Sequence, residues 1–325
     1  MTTVQPQRSA SLRANQPIPL PDAATLSATD DTVRAGVARR RWRRVRWAVR
    51  IAVLAVLIGY PFVVGLDSWF YYPDSQVYWQ PADFGLAHED VHFRAADGVR
   101  LHGWWLPATR SPRGVVVHFH GNAANITNHI ALAAWLPTQG YHTLMFDYRG
   151  YGRSEGRVNR AGTIEDGRAA VALAAERARA AGLPLLVYGQ SLGGAVAIVV
   201  AAERPEVRAV VAEATFGRYR GIAARHGRGL VLLPWLAGAL SSAWISSGYD
   251  PLDYVGQIAP RPLLVIAGER DEICFPELGR ELYDAAGEPK EWWLVPSATH
   301  LAILDEHGGE LVERITDFFS RAAGG

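Results

Sequence analysis

Pro184-Leu-Leu-Val-Tyr188-Gly-Gln-Ser191-Leu-Gly-Gly194 is the stretch on which the reading of this chain turns. Leu185 to Tyr188 is an apolar run of strand length. Ala195 to Ala202, just past the glycine pair Gly193-Gly194, is apolar and small enough for a buried helix. A Gly-x-Ser-x-Gly turn between such a strand and such a helix holds its serine on a strained bend, with the hydroxyl above the sheet edge. Glycine is needed two residues before and two after the serine, where a Cβ would crowd so tight a turn. Gly152-Arg-Ser154-Glu-Gly156 satisfies the same pattern, but Asp147-Tyr-Arg-Gly-Tyr separates it from the strand before it and no small-residue helix follows at once. Ser154 therefore reads as a loop serine, and Ser191 as the candidate nucleophile.

Outward from this turn, short apolar runs alternate with helical segments. Val91–Arg94 and Val99–Leu106 flank an Ala-Ala-Asp-Gly turn as a hairpin, and Gly114–Phe119, His142–Phe146, Val207–Ala212, Pro262–Ala267 and Glu291–Val295 read as further strands. Thr127 or Asn128 is expected to cap a helix reaching Leu136. Thr163-Ile-Glu-Asp resembles a capping box opening an Ala-rich helix that runs to about Ala181, and helices are expected over Pro276–Ala286 and Glu310–Arg321. This order predicts an α/β fold: a mostly parallel twisted sheet with helices on both faces, and a ligand site beyond the carboxyl ends of the strands. Residues 215–254 interrupt the alternation with Leu230-Val-Leu-Leu-Pro-Trp-Leu-Ala-Gly-Ala-Leu240, which is too short and too broken for a membrane span and reads as a small cap insertion over the site.

The N-terminal part has a different character. Residues 1–38 have no sustained apolar period and read as a disordered tail. Residues 39–72 read as a basic flank followed by a transmembrane anchor: Arg39-Arg-Arg-Trp-Arg-Arg-Val-Arg-Trp-Ala-Val-Arg50 runs into the apolar stretch Ile51–Leu66, and a helix from Trp47 to Phe70, with Pro61 placed to kink it, is long enough to cross a bilayer. No Lys or Arg follows Arg50 until Arg94, so the tail is expected in the cytoplasm and the domain at 73–325 outside it. A cleaved signal peptide is the rival reading, but its basic leader would be long and no Ala-x-Ala site follows. The abutting apolar run makes membrane topology, rather than nucleic acid, the reading of the basic run. With 49% hydrophobic and 20% charged residues, a net charge of +1 and one cysteine, Cys274, the composition excludes a disulfide framework and a cysteine-rich metal site.

A serine hydroxyl needs a base, and the base an orienting acid. Asp271, in Gly268-Glu-Arg-Asp271-Glu-Ile after a late strand, is the candidate acid, with Glu269, Glu272 and, less well placed, Glu213 as alternatives. His300, in the loop after the last strand, is the candidate base, and His307 lies beyond the following turn. Backbone N–H groups of Leu192, at the start of the helix, and Asn122, in the His120-Gly-Asn-Ala loop, are the candidate donors to an oxyanion. His88-Glu-Asp-Val-His92 has the letters of a zinc-protease motif, but it begins an alternating strand, where histidines four apart are about 13 Å apart and cannot share one ion. No metal or cofactor is expected, and Cys274 reads as a packing residue.

With His118-Phe-His-Gly-Asn-Ala-Ala-Asn125, Asp147-Tyr-Arg-Gly-Tyr-Gly-Arg-Ser-Glu-Gly156, Gly189-Gln-Ser-Leu-Gly-Gly194, Gly268-Glu-Arg-Asp271 and His300 in that order, the chain resembles the α/β-hydrolase superfamily over residues 85–321. More narrowly it resembles membrane-anchored members of the serine aminopeptidase and lysophospholipase-like branch, which includes acyl-protein thioesterase relatives. Tyr72-Pro73 after a single anchor fits that group. The resemblance implies an α/β-hydrolase fold, the triad Ser191, Asp271, His300 and an oxyanion hole from Asn122 and Leu192. Ile273-Cys-Phe-Pro276 and the apolar cap depart from the family pattern, so the substrate class does not carry over. The expected function is hydrolysis of an ester or thioester, with a small-molecule or lipid-like acyl substrate. A serine peptidase on the same triad and a non-catalytic tethered domain are the alternatives. Oligomeric state is not legible.

Overall fold

The computed structural model describes residues 39–53, 55–56, 70–227 and 245–323. It divides into two units, residues 1–60 and 61–325. In the first, residues 39–53 and 55–56 are helical and exposed. Residues 1–38, residues 57–69 of the expected span and Leu230–Leu240 of the expected cap lie outside the described residues. No described helix is long and apolar enough to cross a membrane.

The second unit is built on an eight-stranded sheet. In chain order the strands are β1 (Tyr72–Pro73), β2 (Glu89–Arg94), β3 (Arg100–Leu106), β4 (Gly114–Phe119), β5 (Ala123–Ala124), β6 (Tyr141–Phe146), β7 (Leu185–Gln190), β8 (Val207–Glu213), β9 (Leu263–Gly268) and β10 (Lys290–Val295). The large sheet has the order β10-β9-β8-β7-β4-β6-β3-β2, while β1 and β5 pair separately. The pairs from β10 to β6 are parallel, and β3 is antiparallel to both β6 and β2. β2 and β3 form the expected hairpin, with Arg94 opposite Arg100.

Alternation along the central strands fills two cores. Val115, Val117 and Phe119 of β4 and Leu185 and Val187 of β7 face one side. There they meet Ala170, Val171 and Ala174 of α3 (Arg160–Ala181) and Val196, Val199 and Val200 of α4 (Leu192–Glu203). Val116, Leu186 and Tyr188 face the other side, against Ile126 and Ile130 of α1 (Ile126–Ala133) and Leu311, Ile315, Phe318 and Phe319 of α7 (Ile303–Ala323). Strands covered on both faces bury every side chain, which is why β4 and β7 read as unbroken apolar runs rather than alternating ones. The short α2 (Trp135–Thr138) follows α1, α5 (Tyr219–Gly227) lies in the cap region, and α6 (Pro276–Ala285) precedes β10.

Three helix starts differ from expectation. The Ala-rich helix begins at Arg160, because Asn159 Oδ1 accepts the Gly162 N–H at 2.8 Å. Thr163 lies inside the first turn, its hydroxyl donating to the Arg160 carbonyl. The helix after β5 is capped by Asn125, whose side chain accepts the Thr127 N–H at 2.9 Å, and so opens before Thr127. In both, a side-chain oxygen two or three residues ahead satisfies an orphan N–H, and asparagine does this from extended backbone better than a residue already inside the helix. The last helix begins at Ile303 rather than Glu310, with a break in helical geometry at His307.

Candidate active site

Ser191 sits between β7 and α4 at φ 53°, ψ −120°, a conformation that L-residues adopt only when the surroundings enforce it. The Ser191 N–H donates to the Glu213 carbonyl at 2.9 Å, and the Thr215 hydroxyl donates to the Ser191 carbonyl at 2.8 Å. A Cβ at Gly189 would stand 2.5 Å from the Gly193 carbonyl oxygen, and one at Gly193 would collide with the Phe119 carbonyl. Both glycines are therefore steric requirements: one lets the bend close on itself, the other lets α4 start against the end of β4. Ser154, the second serine in the same pattern, is a staple in a loop. Its hydroxyl donates to the Asp147 carbonyl at 2.7 Å and accepts the His102 N–H at 2.9 Å.

The candidate acid and base meet. Asp271, 2% exposed at the end of the β9 turn, accepts the N–H groups of Ile273 and Cys274 on Oδ1, both at 2.8 Å. Its Oδ2 is 2.8 Å from His300 Nδ1, which fixes the proton on that nitrogen and leaves Nε2 with a lone pair. The alternatives separate from it. Glu269 caps Ser297 N–H at 2.9 Å from an exposed position, Glu272 is exposed, and His307 is half-buried at the break in α7. Glu213 is fully buried at the end of β8. Its Oε2 accepts from the Tyr188 hydroxyl and, at 2.8 Å, from Gln190 Nε2, and Gln190 Oε1 is 2.9 Å from His118 Nε2. Sequence reasoning did not foresee this network. Polar residues at the paired ends of three adjacent buried strands were the available signal.

Burial pushes the Glu213 carboxyl above its ordinary value. A carboxyl raised in the fold contributes most below the unfolded value of 4.5, and that contribution is lost as pH rises through the folded value. Glu213→Gln keeps the shape and removes the charge. It is expected to raise Tm by about 3 °C or more near pH 8 and by little near pH 4, as read by thermal unfolding across pH.

Ser191, Leu192, Asn122 and His300 line one cavity of 580 Å³, with Asp271 behind His300. Its apolar wall includes Phe70, Leu132, Phe216, Ile222 and Ile273. Among the described residues the hydrogen-bond partner of Ser191 Oγ is Cys274 Sγ, 3.8 Å away, rather than His300. Burial and the nearby Asp271 carboxylate push the Cys274 thiol upward, which keeps it protonated and un-nucleophilic. At the mouth of the cavity His226 of α5 donates to the Ile273 carbonyl at 2.9 Å.

The loop after β4 is held by its carbonyls. His120 O accepts from the Tyr148 hydroxyl at 3.2 Å, and Gly121 O from His120 Nδ1 at 2.7 Å. Asn122 O accepts from the Tyr151 hydroxyl at 2.7 Å, and Ala123 O from His129 Nε2 at 2.9 Å. Four successive carbonyls are thus bound on their own side. Among the described residues the N–H groups of Asn122 and Leu192 have no acceptor. Burial holds His120 and His129 below the ordinary imidazole range, so both donate as neutral rings. Tyr148, Tyr151 and His129 were missed as site residues. The aromatic pair three apart in Asp147–Gly152 was the visible signal.

Among the described residues no group of three or more His, Cys, Asp or Glu is placed to hold a metal ion. His92 lies in β2, extended rather than helical.

A serine on a strained strand-to-helix bend, with an acid–histidine pair arriving later along a mostly parallel sheet, defines a serine hydrolase. The chain belongs to the α/β-hydrolase family. The family model described as "Serine aminopeptidase, S33" matches residues 110–256. YfhR of Escherichia coli is 34% identical over 262 residues, covering 78% of this chain and 87% of its own length. The α/β-hydrolase domain-containing protein WAV2 of Arabidopsis thaliana is 30% identical over 269 residues, covering 78% and 83%. Among solved structures, the Pyrococcus furiosus esterase Pf2001 superposes with a TM-score of 0.65 at 25% identity, covering 78% of this chain and 98% of that one.

Proposed function

We propose that the chain is a membrane-anchored hydrolase of carboxylic esters or thioesters, working through an acyl-enzyme on Ser191. The observation that carries this reading is the His300–Asp271 pair, whose histidine lines the same cavity as Ser191. Ser191 Oγ, turned from Cys274 to His300, attacks the acyl carbon as its proton passes to Nε2, and Asp271 stabilises the resulting imidazolium. The negative oxygen is received by the Asn122 and Leu192 N–H groups, and the N-terminus of α4 adds its partial positive charge. His300 then protonates the departing alkoxide or thiolate. Water, deprotonated by the same nitrogen, attacks the acyl-serine and releases the acid.

The apolar wall favours an acyl chain over a peptide, whose polar backbone it would desolvate without replacement. The Pyrococcus furiosus protein that this chain resembles is an esterase, which points the same way. For the anchor, the support is sequence: the apolar run after Arg50 and the absence of Lys or Arg up to Arg94 favour a tail in the cytoplasm and a catalytic domain outside it.

A panel of p-nitrophenyl esters, acyl thioesters and peptide p-nitroanilides tests the reading. Burying one more methylene contributes about 0.8 kcal/mol, close to fourfold, so kcat/KM is expected to climb about 200-fold over the four methylenes from acetyl to hexanoyl esters. Peptide anilides turned over as fast as the best ester would transfer the site to the peptidase reading.

A further inference from the structure

The proposed anchor needs an apolar run and basic residues on one side of it, in no particular helical register. Residues 39–50 have more than that. At 100° per residue, Arg39, Arg43, Arg46 and Arg50 form one row of the helix and Arg40 and Arg44 the row beside it. Trp42, Val45 and Val49 form a stripe on another side, continued by Val53 and Val56, and all five are exposed. Arg41 stands on the margin of the stripe. Trp47 lies within the arginine sector, where the Arg50 guanidinium stands 5.6 Å from its ring. There is no acidic residue between Asp31 and Asp67. Seven guanidinium groups beside an uncovered apolar stripe are complementary to a surface that is anionic and oily at once.

We infer that residues 39–50 form an interfacial helix that binds anionic phospholipid, the arginines meeting headgroup phosphates while Trp42, Val45 and Val49 enter the acyl boundary. A nucleic acid would satisfy the arginines, but it offers nothing to three exposed apolar side chains in register. The preference for arginine over lysine carries no weight here, because Lys290 is the chain's single lysine. The inference goes beyond the anchor and needs only a bilayer beside the helix.

Each arginine is also a trypsin site, which gives the test. The full chain is assembled into nanodiscs, whose two faces are both open to protease, with phosphatidylcholine alone or with about 30% phosphatidylglycerol. Tryptic cleavage within residues 39–50 is expected to be about tenfold slower in the anionic discs, and protection is expected to vanish near 0.5 M salt, where charge attraction is screened. A Trp42→Ser, Val45→Ser, Val49→Ser variant keeps every cleavage site and every charge. It is expected to lose most of the protection while the thermal unfolding of the catalytic domain is unchanged. Equal cleavage in the two compositions overturns the inference, as does protection that survives high salt or that duplex DNA reproduces in full. A chain that stays in the discs at high salt but is cleaved equally in both refutes this inference and leaves the anchor standing. A chain that washes off at high salt, yet is selectively protected at low salt, does the reverse.

Discussion

Ser191→Ala is expected to fold as the wild type does, lose labelling by a fluorophosphonate probe, and lose about 10⁴–10⁶-fold in kcat toward the best ester. The physical case is specific to this position. Among the described residues the hydroxyl's partner is Cys274 Sγ at 3.8 Å, a weak contact, so removing it leaves no strong donor or acceptor stranded there. Alanine meets the same backbone strain at φ 53° as serine does, so stability is expected to stay within about 1 kcal/mol. Ser154→Ala is the internal control. It removes the staple between the Asp147 carbonyl and the His102 N–H, and so is expected to lower Tm while leaving probe labelling intact. Labelling that persists in Ser191→Ala, or that disappears in Ser154→Ala at a temperature where that variant is folded, would reassign the nucleophile. Cys274 is no substitute for the lost hydroxyl, since burial keeps it a thiol.

What could be read from the sequence divides along the length scale of the interaction. The strands around the bend were legible because burial on both faces leaves unbroken apolar runs at β4, β7 and β9. Ser191, Asp271 and His300 could be named as candidates because each stands at a strand end in a fixed order, and the structure brings Asp271 to His300 and sets His300 and Ser191 in one cavity. Helix starts were not. Asn159 and Asn125 do the capping through one side-chain oxygen each, whereas Thr163 looked equally suited on paper and instead bonds backward to Arg160. The supports of the site were less legible still. Tyr148 and Tyr151 reach carbonyls 28 and 29 residues earlier, and His129 and His120 reach into the same loop. Such contacts follow from three-dimensional neighbourhood, which no local pattern encodes. The rotamer that turns Ser191 to Cys274 belongs to the same class.

Asp271→Asn is expected to lower kcat by about 10⁴-fold with little change in KM, and the geometry says why so small a change is so costly. The carboxylate uses Oδ1 for the Ile273 and Cys274 N–H groups and Oδ2 for His300 Nδ1. An asparagine there keeps its oxygen on the two backbone donors, because the opposite orientation would set an NH₂ against two N–H groups in a buried turn. Its NH₂ therefore faces His300 Nδ1 and donates to it. The imidazole must then carry its proton on Nε2, the nitrogen that has to take the proton from Ser191. The variant folds, binds substrate and holds the wrong tautomer. Glu269→Gln and Glu213→Gln are expected to stay within about tenfold of wild type, since neither carboxyl contacts His300. A large loss in Glu213→Gln together with a small one in Asp271→Asn would move the acid to the end of β8. The reading would then change from a triad closed through the β9 turn to one closed beneath the bend itself.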